Sequence, residues 1–187
     1  PVISVIRNKK NIEIVCEKNE ATHQFDKVIF ATHSDQALAL LETPSVEEAK
    51  ILGALPYQKN IAILHTDASI LPKKKSTWSS WNYLLSTDQT KPVTLTYNMN
   101  ILQSLKSKTN FLVTLNSNGD VDTSKIIKTL VYHHPLFTVK GVKAQKEKNK
   151  ISGVNNTFYC GAYWGNGFHE DGVKSALDVC SFFDKAL

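Results

Sequence analysis

The residues best placed to do chemistry lie near the C-terminal end of the 187-residue chain. Thr157-Phe158-Tyr159-Cys160-Gly161 reads as a short strand ending on glycine. Ala162-Tyr163-Trp164-Gly165-Asn166-Gly167 follows as a glycine-rich loop, and a helix opens near His169-Glu170. A helix start offers unpaired N–H groups and the positive end of a dipole, which suit an anion or a polarised carbonyl. Glycines let such a ligand approach the backbone. The same pattern also serves an ordinary strand-to-helix turn, with Glu170 and Asp171 complementing the dipole. Two phosphate motifs are near misses. Gly165-x-Gly167-x-x-Glu170 has glutamate where a dinucleotide fingerprint needs glycine, and Gly167-x4-Gly172-Val173-Lys174-Ser175 has one residue too many for a phosphate loop.

Trp78-Ser79-Ser80-Trp81-Asn82-Tyr83 is dense in aromatics, with Tyr97 a candidate neighbour in the same sheet. Strand alternation puts Tyr83 on the face of Trp81 and Trp78 on the other. Packing in a core or an interface is one use for such a set, and a flat wall for a substrate is another. The six histidines give no metal motif: His65-x-Asp67 and His133-His134 are the close sets, and neighbours on a strand face opposite ways. There is no GxSxG, and Cys160 has no evident base near it in sequence. No catalytic acid or base is assigned. Cys16 and Cys180 fall in apolar-periodic stretches and read as core residues; three scattered cysteines without CxxC spacing fit a reducing, cytoplasmic compartment. The lysines at 73–75 and 140–150 fall in segments read as solvated loops without interleaved aromatics, which argues against a nucleic-acid surface.

The elements that position these residues follow from the patterning. Residues 2–7, 12–17 and 21–25 read as a β-meander, with turns at Asn8-Lys9-Lys10-Asn11 and Lys18-Asn19-Glu20. Val28-Ile29-Phe30-Ala31 is a short apolar run typical of a strand buried on both faces. Residues 35–41 read as a short helix. Ser45-Val46-Glu47-Glu48 is a capping box for a second helix, which runs to about Leu55 before Pro56. Strands are expected at 61–65, 78–84, 93–97 and 111–115, with short helices at 99–105 and 125–131. The last helix places Val173, Ala176, Leu177, Cys180 and Phe183 on one apolar face. With 42% hydrophobic and 21% charged residues and a net charge of +5, the composition is that of an ordinary folded domain. No run approaches the ~18 apolar residues of a membrane span.

Taken together, these segments resemble the C-terminal part of the flavin-containing amine oxidase family. A bacterial branch of predicted NAD/FAD-binding proteins is especially similar. The likeness rests on Pro1-Val2-Ile3 opening a meander and on Phe25-Asp26-Lys27-Val28-Ile29-Phe30-Ala31-Thr32-His33, where His33 replaces the usual proline. It rests also on Trp78 to Tyr83 with Thr96-Tyr97-Asn98-Met99-Asn100, and on Phe158 to Gly161 followed by Gly167 to Ala176. The resemblance implies FAD as cofactor, held by Val2, Ala31, Thr32, Gly161, Ala162, Gly167, Phe168 and His169. Ala162 stands where the family often has an acidic residue. It implies a mixed α+β fold: a partial FAD domain at 1–36 and 151–187, with an inserted substrate domain at 37–150 built on an antiparallel sheet flanked by helices. Trp78, Trp81, Tyr83 and Tyr97 are then candidates for the substrate pocket. The family's GxGxxG unit is not in this sequence, so the expected partners are a small-molecule substrate and an N-terminal Rossmann half of the same protein. A strand beginning directly after Pro1 reads as a piece of a longer chain, prone to self-association through the surface that half would cover. The competing reading is a non-catalytic α+β module that binds a ligand or partner.

Overall fold

The computed structural model of the chain describes residues 1–17, 21–85, 93–117 and 119–186. The expected turn at Lys18-Asn19-Glu20 and the connection at 86–92 lie outside the described residues. The chain divides into two compact units, Pro1–Gln58 with Pro135–Leu187, and Lys59–His134. The second is narrower than the 37–150 segment expected from sequence, because helices at both ends of that segment pack in the first unit.

In the first unit, β1 (Val2–Arg7), β2 (Ile12–Cys16) and β3 (Thr22–Phe25) form the expected antiparallel meander. A separate pair joins distant parts of the sequence: β4 (Val28–Phe30) runs parallel to β10 (Thr157–Tyr159). Val28 and Phe30 are buried, but Ile29 is 49% exposed, so β4 is covered on one face and not both. Phe30 and Tyr159 stack across the pair, and with Val5, Ile12, Leu41, Ile51 and Leu52 they build the core.

Four helices surround these strands. α1 (Ser34–Leu40) follows β4, and α2 (Val46–Leu52) starts with the expected capping box. Ser45 Oγ accepts the Glu48 N–H at 3.1 Å, and the Glu48 carboxylate accepts the Ser45 N–H at 2.7 Å. The helix stops at Leu52, earlier than Leu55, as i→i+3 bonds tighten its last turn. Glu48 has further partners that the capping box did not announce. Arg7 grips it through both terminal nitrogens at 2.6 and 2.9 Å, and Tyr159 donates its hydroxyl at 2.7 Å. This buried cluster ties β1, α2 and β10 together.

In place of the expected loop at 140–150, Val139–Gln145 is helical and Lys148–Lys150 forms a 3-10 turn. Thr138 caps the helix by accepting the Gly141 N–H at 2.9 Å. Since Met99–Leu102 makes a single helical turn, α3, in the second unit, this helix is α4. The last helix, α5 (His169–Ser181), buries Ser175 and Val179 and leaves Val173 47% exposed. Its buried line is thus rotated from the expected apolar face, and Ala176, Phe183 and Val179 pack on Phe158 and Cys160. Cys160 is the buried cysteine, whereas Cys16 and Cys180 are half-buried and not core residues.

The second unit is built on a five-stranded sheet. β5 (Tyr57–His65), β6 (Trp81–Leu84), β7 (Thr94–Asn98), β8 (Leu112–Leu115) and β9 (Ile126–Pro135) lie in the order β6-β7-β8-β5-β9. The β6/β7, β7/β8 and β8/β5 pairs are antiparallel, as expected. Ile126-Ile127-Lys128-Thr129-Leu130-Val131 is a strand and not a helix, since its β-branched residues favour the extended backbone. α3 and three 3-10 turns are the helical segments of this unit among the described residues. Among the described residues the chain is a mixed α/β fold with largely antiparallel sheets, one parallel pair and five α-helices.

Candidate functional site

The parallel pairing of β4 and β10 decides where the first site lies. Thr157 pairs with Val28 and Tyr159 with Phe30, and Cys160 donates its N–H to Phe30 O at 2.9 Å. Both strands therefore end at the same edge. There Ala31 and Thr32 leave β4, and Gly161 and Ala162 leave β10. The C-terminal edge of parallel strands is the usual ligand crevice of such sheets.

The glycine loop is held from several sides. Gly161 donates its N–H to Ser175 Oγ at 2.8 Å, and Ser175 in turn donates to Gly172 O at 2.8 Å. A Cβ at Gly161 would strike the ring of Tyr163, so the close approach demands glycine. Gly167 has φ +86°, the left-handed region. Asp171 reaches back from α5 and accepts the N–H groups of Asn166 and Phe168, each at 3.0 Å. Gln145 of α4 donates through Nε2 to Tyr163 O at 2.8 Å and Gly165 O at 2.7 Å. Nothing in the sequence around Gln145 signals this role.

These contacts change what the helix start can bind. The Asp171 carboxylate already occupies the approach to the N-terminus of α5, and a second anion there would meet its charge. A neutral carbonyl pointing at the first N–H groups would not, so of the two ligands that a helix N-terminus suits, the polarised carbonyl fits. Phe168, the N-cap residue, is 64% exposed, and His169 is exposed beside it. Three buried polar atoms near the strand ends make no hydrogen bond of ordinary geometry among the described residues: Ser34 Oγ, Tyr163 OH and Trp164 Nε1. Burial holds the Tyr163 hydroxyl well above the ordinary tyrosine range, so it is a neutral donor. His33 is the N-cap residue of α1, where its N–H donates to Gln36 Oε1 at 3.2 Å; its ring stacks on Tyr57 at 4.4 Å, and the Tyr57 hydroxyl accepts the Ser34 N–H at 2.9 Å.

The structure thus brings Ala31, Thr32, Gly161 and Ala162 to one edge, with Gly167, Phe168 and His169 at the start of the helix that follows. Val2 lies elsewhere, at the start of β1 in the meander sheet.

The aromatic residues belong to the second unit. Trp81 and Tyr97 pair across β6 and β7 with edge-to-face rings 6.1 Å apart, and Tyr83 lies two residues along the same face. Trp81 and Tyr83 are 53% and 63% exposed. Trp78 is not in the strand. It precedes β6, its indole N–H donates to Pro72 O at 2.8 Å, and Lys75 lies over its ring. Three of the four aromatics therefore share a surface and the fourth is folded onto its own loop.

His65 and Asp67 are both buried and engaged with protein partners. His65 Nδ1 accepts the Asp67 N–H, while the Asp67 carboxylate accepts from Ser69, from the Asp122 N–H and from Lys125 at 3.1 Å. Burial opposes the Asp67 charge, but these donors outweigh it and hold the carboxyl well below its usual range. Among the described residues no group of three or more His, Cys, Asp or Glu could hold a metal ion.

No family model and no curated protein matches this sequence. Solved structures do. A fatty acid isomerase from P. acnes that produces CLA superposes with a TM-score of 0.63 at 12% identity, over 97% of this chain and 47% of its own. Cyclohexylamine oxidase from Brevibacterium oxydans gives 0.61 at 10%, over 99% and 49%. Putrescine oxidase bound to putrescine gives 0.64 at 9%, over 99% and 48%. The chain spans about half the length of these structures. At such identities the likeness is one of fold: this chain has the fold of about half of each of these proteins.

Proposed function

We propose that this chain is the C-terminal half of an FAD-dependent oxidoreductase of amine oxidase type. The observation that carries the reading is the parallel β4/β10 pair, which sets Ala31-Thr32 and Gly161-Ala162 at one edge ahead of the N-terminus of α5. When bound, FAD would supply the hydride acceptor at flavin N5. Gly161 and Ala162 would border the ribityl chain. The α5 N-terminus would face the pyrimidine carbonyl, a neutral acceptor for its first free N–H groups. That geometry fits the preference of this helix start for a carbonyl. The exposed Phe168 suits a face that a large planar group covers. In this reading Lys59–His134 is the core of the substrate domain, with Trp81, Tyr83 and Tyr97 as pocket wall, in a cytoplasmic enzyme.

The grip on the pyrophosphate belongs to a GxGxxG turn that these residues do not contain, so the N-terminal Rossmann half is the required partner. The internal hydrogen bonding of the glycine loop favours a second reading, in which the loop is only structural and the chain is a non-catalytic binding module. Flavin titration separates the two. Alone, the chain should lose FAD on desalting. Mixed or fused with the segment encoded upstream, it should retain one FAD per chain, seen as a visible flavin band. A stoichiometric band with the chain alone overturns the claim that the essential grip lies elsewhere. No gain on adding the upstream segment overturns the flavin reading.

A further inference from the structure

On one face of its sheet the second unit borders a cavity of about 310 Å³, lined in part by Asn82, Thr94, Thr96, Thr114 and Ser117, with apolar wall from Leu71. That is near the lower limit of small-molecule pockets and about ten times the volume of one water.

The hydrogen bonds behind this wall have a fixed direction. The Asp67 N–H can only donate, and it points at His65 Nδ1 at 3.1 Å. In the neutral ring Nδ1 is therefore bare and the proton sits on Nε2. Nε2 donates to Thr114 Oγ1 at 2.8 Å, and Thr114 Oγ1 shares one bond with Thr96 Oγ1 at 2.9 Å. Two hydroxyls with one bond between them leave one hydroxyl proton over, whichever of them donates. His65, Thr96 and Thr114 are all buried, and no acceptor for that proton occurs among the described residues. Ser117 Oγ, on the same cavity, is also buried without a partner among the described residues. Buried donors in this condition call for an acceptor that the described residues do not supply. Lys73 and Asp120, both exposed and also lining the cavity, carry opposite charges, so neither an anion nor a cation is favoured.

We propose that this cavity binds a small neutral molecule that presents a carbonyl oxygen to the Thr96–Thr114 hydroxyl pair. His65 is a positioning residue that fixes the direction of that donor. The proposal does not require flavin, although Tyr83 borders this cavity as well as the aromatic surface.

The test uses the intact chain, isotope-labelled, with 2-pyrrolidinone as the carbonyl probe and cyclopentane as its carbonyl-free counterpart. Saturable shifts at the amides of Thr96, Thr114 and Ser117 are expected with 2-pyrrolidinone. Thr96→Val and Thr114→Val should each weaken its binding about tenfold and leave cyclopentane binding unchanged. If those variants do not fold, Ser117→Ala, at a less buried position, should weaken the lactam several-fold. The ring nitrogens of His65 should show the Nε2–H tautomer with and without the probe. Absence of saturable shifts, equal binding of both probes, unchanged affinity in the folded variants, or an Nδ1–H tautomer would each overturn the proposal.

Discussion

Glu48 serves two structures with one carboxylate. As the third residue of α2 it closes the capping box with Ser45, and in the core it holds Arg7 and Tyr159. Burial opposes its charge, but the bonds from Arg7, Ser45 and Tyr159 outweigh it and hold the carboxyl below the ordinary range. Glu48→Ala leaves the Arg7 guanidinium buried without its partner, and should destabilise the first unit by about 3–5 kcal/mol in denaturant titration. The pH dependence has a definite sign. A depressed carboxyl contributes stability that is whole above its unfolded value, about 4.3, and is lost as pH falls through the lower native value. The denaturation midpoint of the wild-type chain should therefore drop between pH 5 and pH 2 more than that of Glu48→Gln. The capping role was legible from Ser45 and Glu48 alone, three residues apart. The ion pair was not, because Arg7 and Tyr159 lie 41 and 111 residues away. Gln145 is a similar case: a polar residue on a short helix, whose work is to hold two loop carbonyls. Gln145→Ala should cost about 1–3 kcal/mol and speed amide exchange across 162–167.

At the scale of elements, the meander, the strand at 28–31 and the strand–loop–helix at the C-terminal end were readable because period and punctuation agree there. Two segments were misread, each for a local reason. The stretch that forms α4 holds a glycine and two lysines in seven residues and looks like a loop. Its helical state rests on the Thr138 cap and on burial of Gly141 and Ala144. Thr138→Ala should therefore cost about 1 kcal/mol, measured as a shift in thermal midpoint. β9 follows a short turn capped by Asp122, which accepts the Ser124 N–H at 3.0 Å, and helix-start chemistry there leads into a strand. The rotation of α5 is informative in another way. Ser175 is buried because its hydroxyl holds Gly161, and this turns Val173 outward. A purely hydrophobic reading of the helix has no term for such a bond.

For the molecule as a whole, the first unit exposes Ile29, Phe137, Phe168 and Val173, large apolar side chains of the kind that a neighbouring segment or a second copy covers. Size-exclusion chromatography with light scattering should find species heavier than the 20.9 kDa monomer at high concentration, and addition of the upstream segment should dissolve them. The pairing of β4 with β10 has a consequence in time as well as in space. Cys160 and Phe30 are 130 residues apart, and the first unit contains both ends of the chain. Closing so long a loop carries an entropic penalty and slows folding. The second unit is continuous in sequence and pays no such penalty. During synthesis the strand that pairs with β4 leaves the ribosome only after the whole second unit. Folding is therefore expected to be sequential, with 59–134 gaining amide protection first and β4 waiting for the arrival of Tyr159. Pulse-labelled hydrogen exchange on refolding chains reads that order directly, and simultaneous protection of both units would show them to be one cooperative whole.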